Sequence, residues 1–315
     1  MRQAPSRLRR SLDRPLGPSG EHARAADDLW LTPRAGAFLN RRARAIRRLL
    51  TLIVWTLLAM PIQSVCLVLP GRPKVWFARL YWATFTRLLG MRVRVIGGLT
   101  EGSRPVVFVS NHCSWLDVPV LGGLLPARFV SKGEIGGWPV VGTIARLGRT
   151  IFVSRQRGAT ARELEQIRVL LSGRDNLILF PEGTTSDGSR VMAFRSSFFA
   201  AAEGAQPPLV QPISMAYDRL AGLPTGRLTR DLFAWYGDMD IASHYWRLAQ
   251  HRGLRATVLL HRPIDPARYP NRKALSLAVW EVVAEGAATL RQNRPAAPIG
   301  VEGSERERAD VTAYA

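Results

Sequence analysis

Cysteine is scarce in this chain: two among 315 residues, Cys66 and Cys113. That excludes a disulfide framework and a thiolate metal cluster, and it fits a reducing, cytoplasm-facing compartment. Acidic side chains are few as well. Asp and Glu number 24 against 44 Lys and Arg, and the formal charge is +20. Nearly all of the basic excess is arginine. Such an imbalance implies a negatively charged partner: nucleic acid, an anionic membrane surface or an acidic carrier. Internal repeats are absent. The Gly-x-Ser-x-Gly elbow of a serine hydrolase is absent too. Without His, Cys, Asp and Glu at metal-ligand spacings, no metal or other cofactor is expected.

What is present falls into four stretches. Residues 1–40 are rich in Arg, Pro, Ser and Gly without apolar periodicity and read as a disordered basic arm. Asp13, Glu21, Asp27 and Asp28 count against a transit peptide, and the first apolar run comes too late for a secretory signal. Residues 41–90 read as a membrane-associated helical segment. Arg41, Arg42, Arg44, Arg47 and Arg48 precede an uncharged run from Leu49 to Pro70, long enough to cross a bilayer core. Pro61 is expected to interrupt that run. The following segment carries Lys74, Arg79 and Arg87 among Trp76, Tyr81, Trp82 and Phe85, as suits a membrane interface. Basic residues on both flanks favour a helical hairpin dipping into one leaflet over a single span.

Residues 91–293 alternate β-branched apolar runs with helix-like segments. The expected fold is α/β, a mixed, largely parallel sheet flanked by helices and preceded by the membrane-associated hairpin. Strands are expected at 93–96, 106–110, 127–131, 150–153, 176–180, 210–214 and 256–260, with helices over 158–173 and 273–292. Pro212 should place the 210–214 strand at an edge or a bulge. Residues 294–315 read as a polar, disordered tail.

Four short segments bear chemistry. In VFVSNHCSWLD, a buried strand ends in Asn111-His112, with Asp117 five residues after the histidine. A histidine released at a strand exit can act as a general base, and an aspartate one turn further on can fix its tautomer. A helix-capping His112 and an ion-paired Asp117 are the plain structural alternative. Cys113 reads as a small residue beside the histidine, with a thiol hydrolase as the alternative. In LILFPEGTTSDGSR, Glu182 supplies a carboxylate, Gly183 frees the turn, and Thr184 adds a hydroxyl. GRTIFVSR places Arg149 and Arg155 at the two ends of a strand. LVQPIS supplies the fourth strand.

In this order and spacing, the four segments resemble the glycerolipid acyltransferase family, of the 1-acylglycerol-3-phosphate acyltransferase type. The family's N-H-x-x-x-x-D block is matched by Asn111, His112 and Asp117. Its arginine-bearing strand is matched by Gly148 to Arg155, its F-P-E-G-T block by Phe180 to Thr184, and its V-x-P-I strand by Val210 to Ile213. The segment 129–142, with Lys132, also looks like the family's stretch between the first two blocks.

The resemblance implies that His112 deprotonates an acceptor hydroxyl, which attacks an acyl thioester of acyl carrier protein or coenzyme A. Asp117 orients His112. Glu182, Gly183 and Thr184 position the acceptor, with Asn111, Lys132, Arg149, Arg155 and Arg195 as further substrate contacts. The implied partners are a lysolipid, the thioester donor and an anionic membrane surface, with no nucleic acid. The implied place is the cytoplasmic face of the inner membrane. One departure stands out: many lysophosphatidic acid enzymes carry arginine where this chain has Thr185. The first expected acceptor is 1-acyl-sn-glycerol 3-phosphate, giving phosphatidic acid. The alternative is lyso-ornithine lipid, because the EGTTSDG form resembles enzymes of that type. A non-catalytic lipid-binding module is the reading from a different class.

Overall fold

The structure is a computed structural model that describes residues 35–100, 102–153, 159–173, 175–204 and 207–300. The chain divides into a short unit, residues 1–43, and a large one, residues 44–315. The expected basic arm lies almost wholly outside the described residues.

Helix α1 runs from Ala35 to Val68 without a break. Pro61 therefore does not interrupt it, contrary to expectation. The residue is exposed, so its ring displaces no packed neighbour. The chain reverses instead at Leu69–Arg72, and α2 follows over Pro73–Leu88 with proline in its first turn. Ala45, Arg48, Leu52, Ala59 and Gln63 are buried, a helical spacing that marks one face of α1. That face is fastened to the body of the protein. Arg48 donates to the carbonyls of Ala249 and His251 at 2.8 and 2.7 Å. Gln63 donates to the carbonyls of Lys74 and Leu147 at 3.1 and 2.8 Å. The other faces leave Leu50, Val54, Leu57, Leu58, Val65 and Val68 exposed.

Eight strands form one sheet: β1 (Met91–Ile96), β2 (Val106–Ser110), β3 (Ala127–Lys132), β4 (Ile151–Val153), β5 (Asn176–Leu179), β6 (Leu209–Leu220), β7 (Leu223–Pro224) and β8 (Leu254–Leu260). Their order is β1-β8-β6-β2-β5-β3-β4, with β7 paired to β6. All pairs are parallel except β6 with β8 and β6 with β7, so the sheet is mixed and largely parallel, as expected. β2 is buried along its whole length and feeds both faces by alternation. Val106 and Phe108 join a core that includes Leu116 and Leu121 of the segment around α3 (Asp117–Leu124). Val107 and Val109 join the opposite core with Val279 and Val283 of the long helix Arg272–Arg291.

β6 corrects the sequence reading most. It is central rather than an edge, and it extends to Leu220 rather than ending at Ser214. Pro212 is tolerated because its carbonyl still accepts the His261 amide at 3.0 Å, while Gln211 Nε2 donates to the His261 carbonyl at 2.9 Å in place of the missing proline N–H. Val210 bridges Ile264, and the regular ladder resumes only at Ile213 opposite Leu260. The described part of the polar C-terminal stretch is also tied down. Ile299 donates to His261 Nδ1, and its carbonyl accepts from Arg262.

Candidate active site

Parallel strands release their side chains at their carboxyl ends, and neighbours in the sheet share that edge. β2 and β5 are adjacent, so His112 and the Phe180–Glu182 turn emerge side by side. The His112 ring stacks on Phe180, with centroids 4.0 Å apart and planes at 15°. β6, on the other side of β2, continues past the exit and lines the site with Met215 and Tyr217.

His112 Nδ1 lies 2.7 Å from Asp117 Oδ2. The same oxygen accepts the amides of Cys113 and Ser114 at 2.8 and 3.0 Å. Tyr217 donates its hydroxyl to the other oxygen, Oδ1, at 2.5 Å. Asp117 is 0% exposed, so its four donors replace water entirely. A carboxylate held this way obliges Nδ1 to donate and leaves Nε2 with a free lone pair. Nε2 has no hydrogen-bond partner among the described residues. Burial, followed by the charge of Asp117, raises the Tyr217 phenol well above its usual value, so it remains a donor. Tyr217 was not legible from sequence; its partner lies 100 positions away.

The remaining expected residues separate into several groups. Asn111 is 5% exposed and exchanges two hydrogen bonds with the backbone of Met215, at 3.1 and 2.8 Å. It joins the β2 exit to β6. Glu182 is likewise buried. Its Oε1 accepts the His112 amide at 2.6 Å and its Oε2 the Met192 amide at 2.9 Å. It therefore fixes the backbone of the histidine loop instead of reaching into the crevice. Burial pushes its carboxyl up to about 7, against the two amide hydrogen bonds that favour the charged form.

Gly183 has φ +72°, and a Cβ there would lie 3.3 Å from Arg195 Nε. Its amide is used within the turn, donating to the Phe180 carbonyl. Thr184 is exposed beside it, and its amide and that of Thr185 bond to no acceptor among the described residues. Arg195 lies over this turn, and its own amide donates to Pro181. Lys132 sits at the carboxyl end of β3, along the same edge as His112.

Arg149 is misplaced by the sequence reading. It precedes β4 and so lies at the amino edge of the sheet, away from His112. There its guanidinium pairs with both oxygens of Asp175 at 2.8 and 3.0 Å, beside Arg128. Arg155 lies outside the described residues.

Two other nucleophile readings fail on geometry. Cys113 is buried, and burial drives its thiol well above the ordinary value, which suppresses the thiolate. Ser214 and His261 form a 2.8 Å pair, both buried. Ile299 donates to His261 Nδ1, so Nε2 carries the proton and donates to Ser214, whose hydroxyl donates to Val283. That serine has no base to activate it.

A buried carboxylate behind a partly exposed imidazole at a strand exit is an arrangement that can act as a general base. Comparison with known proteins gives the family. Residues 92–216 match the family described as Acyltransferase. A lyso-ornithine lipid O-acyltransferase of Rhizobium meliloti (strain 1021) is 36% identical over 237 residues, covering 73% of this chain and 81% of that protein. A 1-acyl-sn-glycerol-3-phosphate acyltransferase of Neisseria gonorrhoeae is 29% identical over 187 residues, covering 58% and 69%. The crystal structure of the 1-acyl-sn-glycerophosphate (LPA) acyltransferase of Thermotoga maritima shares the fold, with a TM-score of 0.53 at 21% identity over 78% of this chain and 98% of that one. This chain belongs to the acyltransferase family.

Proposed function

We propose that the protein transfers a fatty acyl group from a thioester of acyl carrier protein or coenzyme A to the hydroxyl of lyso-ornithine lipid, at the cytoplasmic face of the inner membrane. The observation that carries the chemistry is the 2.7 Å pair between His112 Nδ1 and the buried Asp117, on an imidazole that is itself partly exposed. Nε2 takes the proton of the acceptor hydroxyl as its oxygen attacks the thioester carbon. The resulting imidazolium is stabilised by Asp117 and returns its proton to the departing thiolate. Negative charge developing on the thioester oxygen needs donors already in place. The unengaged amides of Thr184 and Thr185 are the nearest candidates in the turn beside His112. No acyl-enzyme is required.

Two observations support lyso-ornithine lipid ahead of 1-acyl-sn-glycerol 3-phosphate, reversing the order expected from sequence. Thr185 stands where many phosphate-binding relatives have arginine. The relative named for lyso-ornithine lipid also matches at higher identity and over more of the chain than the one named for the glycerol phosphate.

Membrane association is supported by α1, whose stretch Leu39–Val68 has a mean hydropathy of 1.9 over its most apolar window, only 17% of it buried. Because one face of α1 is fastened to the body of the protein over residues 45–63, the helix is suited to lying in the interface rather than crossing the bilayer. The +20 charge supports attraction both to anionic lipid and to an acidic carrier protein.

The test is an acceptor panel. Membranes carrying wild type or His112→Ala receive labelled acyl carrier protein with each lysolipid separately. Label entering ornithine lipid only with wild type is expected. His112-dependent label in phosphatidic acid alone would overturn the choice of acceptor, and label independent of His112 would overturn the mechanism.

A further inference from the structure

Beside the histidine loop lies a small cleft in which three arginines meet. Arg190 comes from the loop after the FPEGT turn, Arg230 from a short helix after β7, and Arg291 from the last turn of the Arg272–Arg291 helix. Asn111, Cys113 and Tyr217 line the same cleft. His112 does not line it; its ring stacks on Phe180 instead. The aliphatic stem of Arg230 runs across Gly188, whose missing Cβ would lie 3.6 Å from Arg230 and 3.7 Å from Cys113. Gly188 has φ +74°, so a side chain there would be strained as well as crowded.

These guanidiniums make no close ion pair among the described residues, although the Asp187 carboxylate is near enough to feel Arg190 and Arg230. Among the described residues none of the three forms a salt bridge or a side-chain hydrogen bond. The two nearby acids are committed elsewhere. Asp187 accepts from the Ser189 amide and hydroxyl at 2.9 and 2.7 Å. Glu182 accepts two backbone amides, and burial moves it towards neutrality. Burial, and then the charge of Arg230, lowers the Arg291 guanidinium below its usual value. Partly desolvated, mutually repelling cations are costly unless an anion joins them, and the planar fork of arginine matches a carboxylate or a phosphate.

We infer that Arg230 and Arg291, with Arg190 at the mouth, bind the anionic group of the acyl acceptor's head group. The inference rests on the acyl-transfer reading above and names a binding site for that reaction's acceptor. Proximity selects the acceptor over the donor. Asn111 and Cys113 are the immediate neighbours of His112, and Ser186, also in the cleft, holds the His112 carbonyl through its amide at 3.0 Å and its hydroxyl at 3.2 Å. An anion placed here would lie against the residues that flank the base in the chain. In a lysolipid, the head-group anion is only a few bonds from the hydroxyl that reacts. The phosphates of a carrier-protein or coenzyme A thioester are separated from the reacting carbonyl by the whole pantetheine arm. Met215 and Phe233 give the cleft an apolar wall against which the methylenes of such a head group can rest. The site also offers a physical answer to Thr185: the acceptor's anion is held by arginines that approach from the other side of the loop.

Two measurements on the full-length protein test this. The first needs no turnover. The midpoint of thermal unfolding in detergent is followed with Nα-acetylornithine, which presents a carboxylate, and with glycerol 3-phosphate, which presents a phosphate. One or both should raise the wild-type Tm in a saturable way, and the one that does identifies the anion. Arg230→Gln and Arg291→Met should abolish that response. Arg291→Met in the absence of ligand should leave Tm unchanged or higher, because it removes an uncompensated charge while keeping the apolar stem. A Tm that falls by several degrees would mean that Arg291 is a structural residue, and the inference would fail. It would also fail if the variants responded as wild type does, or if neither compound shifted wild type.

The second measurement is kinetic. Arg230→Gln and Arg291→Met should each raise the acceptor KM at least tenfold and leave the donor KM alone. A raised donor KM with an unchanged acceptor KM would assign the cleft to the thioester instead. If wild type acylates neither lysolipid, the functional proposal fails while the thermal response still decides whether the cleft binds an anion.

Discussion

Asp117→Asn isolates one physical quantity, the charge behind His112. The wild-type geometry explains why the fold should tolerate it. Oδ2 accepts three N–H groups, from His112, Cys113 and Ser114, and Oδ1 accepts one hydroxyl, from Tyr217. An asparagine can set its carbonyl oxygen where Oδ2 stood and keep all three donors. Its NH2 then faces Tyr217, whose hydroxyl rotates to accept instead of donate. The Tyr217 hydroxyl hydrogen and the second amide hydrogen lose their acceptor in a buried place, so the stability cost should be about 1–3 kcal/mol, small enough to leave the protein folded. The His112 tautomer should also survive, because Nδ1 still meets an acceptor. What is lost is the attraction between a carboxylate and the imidazolium formed during transfer. For unit charges about 4 Å apart in an effective dielectric of about 20, that attraction is about 4 kcal/mol, or roughly a thousandfold in rate. The assay is single-turnover transfer of labelled acyl groups to the acceptor, with Tm recorded on the same preparation. Turnover within tenfold of wild type, in protein still folded at the assay temperature, would refute the reasoning and leave Asp117 with an orienting role only. Tyr217→Phe is the companion. It leaves Oδ1 without a donor, so it should cost about 1.5–3 kcal/mol of stability while lowering the rate less than Asp117→Asn does.

Three further outcomes are expected. His112→Ala should reduce acyl transfer to background with membrane attachment intact, because the ring is partly exposed and holds no strand in place; retained activity in sedimented membranes would remove the proposed base. Glutamate at Leu50, Leu57 and Leu58 together should release the protein from membranes without unfolding it, since all three are exposed and each apolar side chain contributes about 1.5–3 kcal/mol on burial; flotation with vesicles as strong as wild type would contradict interfacial docking by α1. The third concerns acid. His261, buried and pushed down from 6.5 to about 4, is neutral when folded. Below pH 6.5 the unfolded chain takes up a proton that the folded chain refuses, so about 3 kcal/mol of stability is lost between pH 6.5 and 4. Glu182, pushed up from 4.5 to about 7, acts in the opposite sense and gains stability as pH falls through the same window. Glu182→Gln should therefore steepen the acid loss of Tm in detergent, and equal slopes for wild type and variant would refute the offset.

Deleting the N-terminal helix is a poor test of membrane binding, although sequence alone recommends it. The uncharged run from Leu49 to Pro70 reads as something separable from the catalytic body. The structure places Leu52 in the main core and uses Arg48 and Gln63 to bind distant carbonyls. A truncation would remove lipid contact and core packing at once.

The sequence by itself determined the alternation of strands and helices, the burial of β2 on both faces, and the exit of His112 with Asp117 five residues on. These are local properties: side-chain period, strand length and the spacing of two polar residues in an apolar context. It also supplied the order of four motifs, which was enough to place the chain in its family. The tertiary structure decided everything that depends on which strand lies beside which. It put Phe180 under the His112 ring and Tyr217 against Asp117, because β5 and β6 flank β2. It made β6 central despite Pro212, because the Gln211 side chain supplies the donor that proline lacks. It gave Asn111 and Glu182 backbone partners that support the histidine loop, and it moved Arg149 to the opposite edge. It also gathered Arg190, Arg230 and Arg291 from three separate segments into one cleft, because a charge cluster that closes only through long-range contacts leaves no periodic trace in the chain.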